Sequence, residues 1–293
     1  MIRIHFIVNP ISGNGKHNLT ASMIRDFFPR SEFDIAIDYT KHKGHAIELA
    51  QMAKTQKPDY IIACGGDGTI NEVASSLVNS NIKLGIVPVG SGNGLASNLA
   101  IPRDMEKAFG IIKKGNVNFI DVGTVNDRYF FSNMGIGIDA TIIKHYEHNG
   151  KRTLTAYIKA ALASSLQYQP RRTMHTYGNQ VSSSEPFLLF VSNSNEMGYN
   201  MSLTPKASLQ DGWLNLFLVP KIPLIQKLVL GYYVLRNQVE KFKYGKHFLI
   251  QDLYLEQPDT IFMDVQIDGE FHNFKTNTLK VSIARKGLKV LVP

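Results

Sequence analysis

The sequence predicts an α/β domain built on a parallel sheet, followed by a domain of antiparallel strands folded as a sandwich or barrel. Three observations carry that expectation. In the first third, short apolar runs alternate with segments of helical periodicity, the pattern of strands joined by crossover helices. From Val117 onward, strand-like runs separated by turn pairs dominate instead. The chain has 293 residues, 44% of them apolar, which is enough for two packed cores.

Taken in order, Ile2 to Val8 is a near-continuous apolar strand, and Leu19, Met23, Ile24 and Phe27 mark one face of a helix. Phe33 to Ile37, a helix near Ala46 to Ala53, the strand Tyr60 to Cys64, a helix from Ile70 to Val78 and the strand Leu84 to Val87 continue the alternation. The strand ends carry Asn9-Pro10-Ile11-Ser12-Gly13, Thr40, Gly65 to Thr69 and Gly90-Ser91-Gly92-Asn93, all rich in glycine or small hydroxyl residues. Ligands of such sheets bind outside those strand ends.

In the second half the strand-like runs are Phe119 to Val125, Tyr129 to Met134, Phe187 to Val191, Leu214 to Val219, Phe248 to Leu255, Ile261 to Ile267, Leu279 to Ile283 and Leu288 to Val292. Asn126-Asp127, Asp211-Gly212, Asp268-Gly269 and Lys286-Gly287 read as turns between them. Two segments read as helices, Thr155 to Leu166 and Leu224 to Val239. The second is ambiguous: its default is packing against the sheet, but Tyr232, Tyr233 and the neighbouring Lys227, Lys241 and Lys243 also suit a bilayer surface.

Composition narrows the partners. A net charge of +8 and 9 histidines give a basic chain that favours anionic partners. Its basic clusters, Lys41-His42-Lys43, Arg171-Arg172 and Lys241 to Lys246, lack the aromatic or zinc-finger company of nucleic-acid readers, so no nucleic acid is expected. One cysteine, Cys64, excludes an internal disulfide framework and suits the cytoplasm. Ile2 to Val8 is too short for a secretory signal, and no apolar run spans a bilayer. His145, Glu147 and His148 read as surface residues, without further ligands at informative spacing.

The stretch that organises the chain is Cys64-Gly65-Gly66-Asp67-Gly68-Thr69-Ile70-Asn71-Glu72. Three glycines around one carboxylate remove the Cβ atoms that would keep the backbone from a bulky anion. Thr69 and Asn71 can cap or line the following helix, whose N-terminus favours phosphate. Asp67 would repel bare phosphate, which implies a cation or a polar hydroxyl beside it. Two commoner phosphate motifs fail. Around Gly13-Asn14-Gly15-Lys16-His17, Pro10 stands in place of the first Walker glycine and His17 in place of the metal-binding hydroxyl; Gly135-Ile136-Gly137 sits among strands and has no acidic residue at Ala160.

Asn9-Pro10 with Ser12-Gly13, the GGDGT-x-NE segment from Gly65 to Glu72, and Gly90-Ser91-Gly92-Asn93 together resemble the diacylglycerol kinase catalytic-domain family, which includes bacterial soluble lipid kinases and sphingosine and ceramide kinases. Ile120-Asp121-Val122-Gly123, the Asn133 to Ala140 segment, Asp211-Gly212-Trp213-Leu214 and Asp268-Gly269-Glu270 fit in the family's order. The resemblance implies a Rossmann-like α/β nucleotide-binding domain (1–125), a C-terminal antiparallel β-sandwich (126–293) whose last strand returns to the first domain, and an active site in the interdomain cleft. It implies ATP held by Asn9, Pro10, Ile11, Ser12, Gly13, Thr40, Gly65, Gly66, Asp67, Gly68, Thr69, Asn71 and Glu72, with Ser91, Gly92 and Asn93 closing the nucleotide side. Asp67 and Asp121 correspond to acidic residues that organise catalytic magnesium, and Glu270 to the general base. A structural Mg2+ would be held by Asp211 with the backbone of Ser208 and Trp213.

Phosphoryl transfer needs positioning, charge neutralisation and an acceptor for the alcohol's proton, and these residue types supply each. Where many bacterial members have Asn-Asp, this chain has Asn93-Gly94, the form seen in sphingosine and ceramide kinases. The expected function is therefore an ATP-dependent lipid kinase acting on diacylglycerol or a sphingoid-type lipid. Its partners are a lipid substrate and an anionic membrane met peripherally, with a homodimer left open. NAD kinase, which shares a GGDG loop, and a non-catalytic nucleotide or lipid sensor are the alternatives.

Overall fold

The computed structural model describes residues 1–15, 17–90, 92–148, 154–196 and 201–293. Its chain divides into two compact units, Met1–Ile120 with Arg285–Pro293, and Asp121–Ala284. No helix among the described residues is long and apolar enough to cross a membrane.

The first unit alternates as its apolar pattern requires: β1 (Ile2–Val8), α1 (Ala21–Phe27), β2 (Phe33–Tyr39), α2 (His45–Thr55), β3 (Tyr60–Gly65), α3 (Asp67–Leu77), β4 (Lys83–Pro88), α4 (Gly94–Asn98) and α5 (Met105–Lys114). The strands are parallel in the order β2-β1-β3-β4, and Val290 of the chain's last strand pairs in parallel with Leu84 beside β4. β3 is buried along its whole length because helices cover both faces of the sheet. On one face Phe6 meets Phe28, at the end of α1, and Phe109 of α5, at ring separations of 5.6 and 6.3 Å. On the other, α2 packs on α3.

The second unit contains most of β5 (Val117–Val125), then β6 (Arg128–Phe130), β7 (Asn133–Gly137), α6 (Ile138–His148), α7 (Leu154–Gln167), β8 (Thr173–Tyr177), β9 (Gln180–Ser184), β10 (Pro186–Ser192), β11 (Leu214–Pro220), α8 (Leu224–Leu235), β12 (Lys246–Ile250), β13 (Asp252–Glu256), β14 (Val265–Ile267), β15 (Glu270–His272) and the first half of β16 (Thr278–Leu291). One sheet runs β12-β11-β10-β7-β14-β15, antiparallel throughout. The other has β16-β13-β8-β9, with β5 beside β16 and β6. Leu189 and Val191 of β10 join Leu253, Leu255 and Val281 in the core between the sheets. Leu188 and Phe190 point the other way, under α6, α7 and α8. Burial on both faces explains why β10 reads as an unbroken apolar run. The fold is a sandwich, not a barrel.

Several expectations are corrected. Among the described residues three α-helices, not two, lie in the second unit: α6 was hidden by its β-branched Thr141, Ile142 and Ile143. Phe248 to Leu255 is two strands in different sheets, β12 and β13, broken at Gln251. Lys286-Gly287 is no reversal; β16 runs through it with Lys286 at φ 52°, a local kink of the bulge kind, while the Gly287 carbonyl accepts the N–H of Asn79 at 2.7 Å. α8 stops at Leu235, four residues before the expected end, and Val239–Lys241 forms a separate 3-10 turn. α3 begins at Asp67, so the carboxylate of the glycine stretch is the helix's first residue, and its N-cap is Gly66 rather than a hydroxyl.

Candidate functional site

The strand order of the first unit reverses between β1 and β3, and the C-terminal ends of these two strands run directly into Asn9 and into Gly66-Asp67. Such a switch point opens the crevice where α/β sheets bind ligands. The loops there are tied together by their own side chains. Asn9 donates through Nδ2 to Oγ1 of Thr69 at 3.0 Å and accepts the N–H of Ile11 at 3.1 Å. Ser12 Oγ accepts the N–H of Gly66 at 3.1 Å. Thr40 donates its N–H to the carbonyl of Val8 at 2.9 Å, which fixes the end of β2 beside that of β1. Pro10 and Ile11 are exposed, Ile11 at 79%.

Glycine is needed here for close approach. A β-carbon on Gly65 would collide with the Thr69 side chain, one on Gly90 with the Cα of Gly66, and one on Gly92 with the carboxylate of Asp67. Gly13, at φ 59°, lies against the carbonyl of Val89. Backbone thus packs on backbone, and the first intrahelical bond of α3, from Ile70 N–H to Gly66 carbonyl, leaves the amides of 67–69 in the helix's opening turn. Helix α3 is 11 residues long, enough for its N-terminal dipole to favour an anion.

Asp67 closes the third loop. Its Oδ2 accepts the N–H of Asn93 at 2.8 Å and its Oδ1 that of Gly94 at 2.6 Å. Asn93, buried and left-handed at φ 67°, folds its amide back on Gly90, donating to that carbonyl at 2.7 Å and accepting that N–H at 3.2 Å. Arg103 donates to the carbonyl of Gly92 at 2.8 Å. No motif in the sequence pointed to Arg103. Ser91, expected on the nucleotide side, lies outside the described residues.

Two members of the motif serve neighbouring structure. Glu72 accepts the N–H of Gly44 at 2.9 Å and of Ala46 at 3.1 Å, capping the N-terminus of α2. The cap position itself is taken by Gly44 in left-handed conformation. Asn71 accepts the hydroxyl of Ser75 at 3.2 Å. His42, His45 and Glu48 stand close enough to share a cation. However, Nδ1 of His45 accepts the N–H of Lys41, which leaves the proton of a neutral ring on Nε2 and unsuits it as a ligand.

In the second unit Glu270 opens β15, just after a tight hairpin turn. Asp268 at φ 47° and Gly269 at φ 80° join Ile267 to its partner Glu270, the conformation Asp-Gly adopts in two-residue hairpins. The Asp268 carboxylate accepts three backbone amides, from Phe131 at 2.9 Å, Ser132 at 2.8 Å and Asn133 at 3.0 Å. Gln266 braces the turn by donating to Asn133 Oδ1 at 2.6 Å and accepting the N–H of Gly269 at 2.9 Å. Asn193, fully buried, donates to the carbonyls of both Asp121 and Phe131. The network therefore runs continuously from Asp121 to the turn that carries Glu270. Asn193 and Gln266 were not singled out from sequence, because the carbonyls that Asn193 holds and the Asn133 side chain that Gln266 meets are more than 60 residues away.

The structure also joins Asp121 to the loop at 208–213. Asp121 Oδ2 accepts the N–H of Gly212 at 2.7 Å and its own N–H donates to the Leu209 carbonyl at 2.7 Å. Asp211 accepts the N–H of Trp213 at 2.9 Å, and the Ser208 hydroxyl accepts that of Gln210 at 3.3 Å. Asp211 on this loop and Asp121 on the strand bonded to it are carboxylate oxygen donors of the kind a hard cation such as Mg2+ takes. One more acid stands behind the Gln266 brace. Asp139, at the start of α6, is buried, and desolvation pushes its carboxyl up to about 7 against the lowering effect of its hydrogen bond with Gln266.

Known proteins place these two units in context. Residues 3–125 match the family model described as diacylglycerol kinase catalytic domain, and residues 132–291 match that of the YegS C-terminal NAD kinase beta sandwich-like domain. A diacylglycerol kinase of Bacillus subtilis is 28% identical over 282 residues, covering 92% of this chain and 90% of its own. One from Staphylococcus haemolyticus is 28% identical over 271 residues, covering 90% and 81%. Among solved structures, a putative diacylglycerol kinase from Bacillus anthracis superposes with a TM-score of 0.80 at 23% identity, over 99% of this chain and 95% of that one. This last likeness bears on the fold.

Proposed function

The chain belongs to the diacylglycerol kinase catalytic-domain family with a YegS-type C-terminal sandwich, and from that premise we propose that it is an ATP-dependent lipid kinase. The acceptor is the hydroxyl of diacylglycerol or of a sphingoid-type lipid. The observation that carries this reading is the three-loop cradle at the switch point, where Gly66, Gly90 and Gly92 let the glycine loops close on one another beside the opening turn of α3. The family name and the B. subtilis and S. haemolyticus relatives supply the acceptor class.

In this reading the loops from Asn9 to Gly13, Gly65 to Thr69 and Gly90 to Asn93 hold the triphosphate, with Thr40 on the nucleotide side. Asp67 keeps the third loop closed through Asn93 and Gly94, and its oxygens retain lone pairs for a cation. ATP supplies the γ-phosphoryl group and Mg2+ spreads its charge. Asp67, Asp121 and Asp211 are the carboxylates that fit magnesium, with the Ser208 and Trp213 backbone beside Asp211. Glu270 takes the proton of the attacking hydroxyl as the oxygen–phosphorus bond forms and the bond to ADP breaks. The three amides on Asp268 hold the turn that presents it. The protein acts in the cytoplasm, in peripheral contact with an anionic membrane.

The test is transfer of labelled γ-phosphate from ATP to a panel of diacylglycerol, monoacylglycerol, sphingosine, ceramide and phosphatidylglycerol in mixed micelles. Labelled lipid supports the reading and names the acceptor. The name of the second family model keeps one rival in view, NAD kinase. NADP formation in a coupled assay, with no labelled lipid, would replace the lipid reading with it.

A further inference from the structure

Helix α8 is inside out. Its two polar residues, Gln226 and Lys227, lie on the half-buried side, while Ile225, Leu228, Tyr232 and Leu235 are 71, 53, 56 and 53% exposed. These recur at helical spacing, so they form one solvent-facing stripe without a charge. Lys227 is spent inside the fold: its Nζ donates to the carbonyl of Ser165 on α7 at 2.7 Å and lies 4.9 Å from the centre of the Phe187 ring. That bond fixes α8 against α7, which adds Leu162 and Leu166, four residues apart and 50 and 63% exposed. The opposite side of α8, with Val229, Leu230, Tyr233 and Val234, packs on the outer core. The helix therefore has its packing face already, and the exposed stripe is a second apolar face.

The surroundings of that stripe are cationic. From Lys221 to Lys246 the chain carries six Lys or Arg residues and one carboxylate; Lys227 is turned inward, Lys221 pairs with Glu185 at 3.0 Å and Glu240 with Lys206 at 3.0 Å, so Arg236, Lys241, Lys243 and Lys246 supply the positive charge. The guanidinium of Arg236 lies 5.8 Å from the ring of Tyr232, and Lys243 lies 5.0 Å from that of Tyr244. On the exposed side of α7, Lys159 is the one charged residue among those described.

We propose that α7 and α8 form a membrane-docking face, with Leu162, Leu166, Ile225, Leu228 and Leu235 entering the acyl boundary of an anionic bilayer and Tyr232 with Arg236 at headgroup level. An apolar stripe bordered by cations and aromatic rings matches both layers of such an interface. A second copy fits less well, because a two-fold contact through this face would set its cations against their own copies. The inference rests on the lipid-kinase reading for its purpose and specifies which part of the chain meets the lipid surface. Tyr233 and Lys227 face inward and take no part.

The test uses the full chain and the double variant Ile225→Ser with Leu228→Ser, sedimented with vesicles of phosphatidylcholine with or without phosphatidylglycerol. Both side chains are exposed, so the melting curve should not move. The wild type should bind, more tightly with phosphatidylglycerol present, and the variant's partition should fall about ten-fold or more. Offered a water-soluble short-chain diacylglycerol and a short-chain sphingoid base, both proteins should phosphorylate the accepted one equally. Equal vesicle binding by both proteins, or none by the wild type, would overturn the proposal. A wild-type dimer that the double variant converts to monomer would also overturn it and give the face to a second copy. Vesicle binding that depends on the stripe, without phosphorylation of either short-chain acceptor, would uphold the docking face and sink the kinase reading alone.

Discussion

Asp67 and Asn93, 26 residues apart, are joined where the first turn of α3 meets the third glycine loop: Asp67 Oδ2 accepts the backbone N–H of Asn93 at 2.8 Å. The other oxygen accepts the N–H of Gly94 at 2.6 Å. The carboxylate thus holds the loop before any cation is considered. Asp67→Asn puts an amide donor against at least one of these N–H groups. It should cost on the order of 1–3 kcal/mol of stability in the first unit, beyond any loss of phosphoryl transfer. Urea unfolding checks this, with an unchanged midpoint as the contrary result.

Gly92→Ala tests the cradle from the other side. Its β-carbon would overlap the Asp67 carboxylate, so the loop must move. Titration calorimetry should show ATP affinity falling by about ten-fold or more. Affinity equal to wild type would mean that the third loop does not shape the nucleotide site.

Glu72 separates structure from chemistry within one motif. Its carboxylate caps α2 through Gly44 and Ala46. Glu72→Ala should lower unfolding stability by about 1 kcal/mol. Because that side chain is committed to α2, labelled-phosphate transfer should persist under conditions where the variant stays folded. Complete loss of transfer at unchanged stability would give Glu72 a direct role.

Asp139 should make the fold pH-dependent. Burial raises its carboxyl from 3.8 to about 7 in the folded chain, so the folded state holds a proton that the unfolded state releases. Its favourable contribution is complete below 3.8 and is lost as pH rises through about 7. Asp139→Asn removes that titration. Against the parent, it should gain stability by a few kcal/mol on going from about pH 5 to about pH 8. Parallel urea midpoints across that range would contradict the assignment.

Much of the architecture was legible because burial on two faces writes continuous apolar strands, as in β3 and β10, and helices on both sides of a parallel sheet write the alternation around them. The glycine loops were legible for a related reason: close backbone approach excludes every other residue. Non-local roles left no local trace. The capping of α2 by Glu72 and the grip of Asp268 on 131–133 depend on register between distant segments, and the bond from Arg103 to Gly92 on how the chain folds back over 11 residues. α6 was missed because Thr141, Ile142 and Ile143 suit strands equally well, and the hairpin of β8 and β9 because its second strand, Gln-Val-Ser-Ser-Ser, is mostly polar. The apolar stripe of α8 was visible as periodicity, but only burial shows which face is already packed.

The central claim is that the Glu270 carboxylate accepts the proton of a lipid hydroxyl as ATP is consumed. The most direct measurement is single-turnover transfer of labelled γ-phosphate to the preferred lipid by wild type and Glu270→Gln, with ATP binding measured on both. Glu270→Gln should bind ATP as the wild type does and transfer the phosphoryl group about 100-fold or more slowly. Transfer within a few-fold of wild type would contradict it.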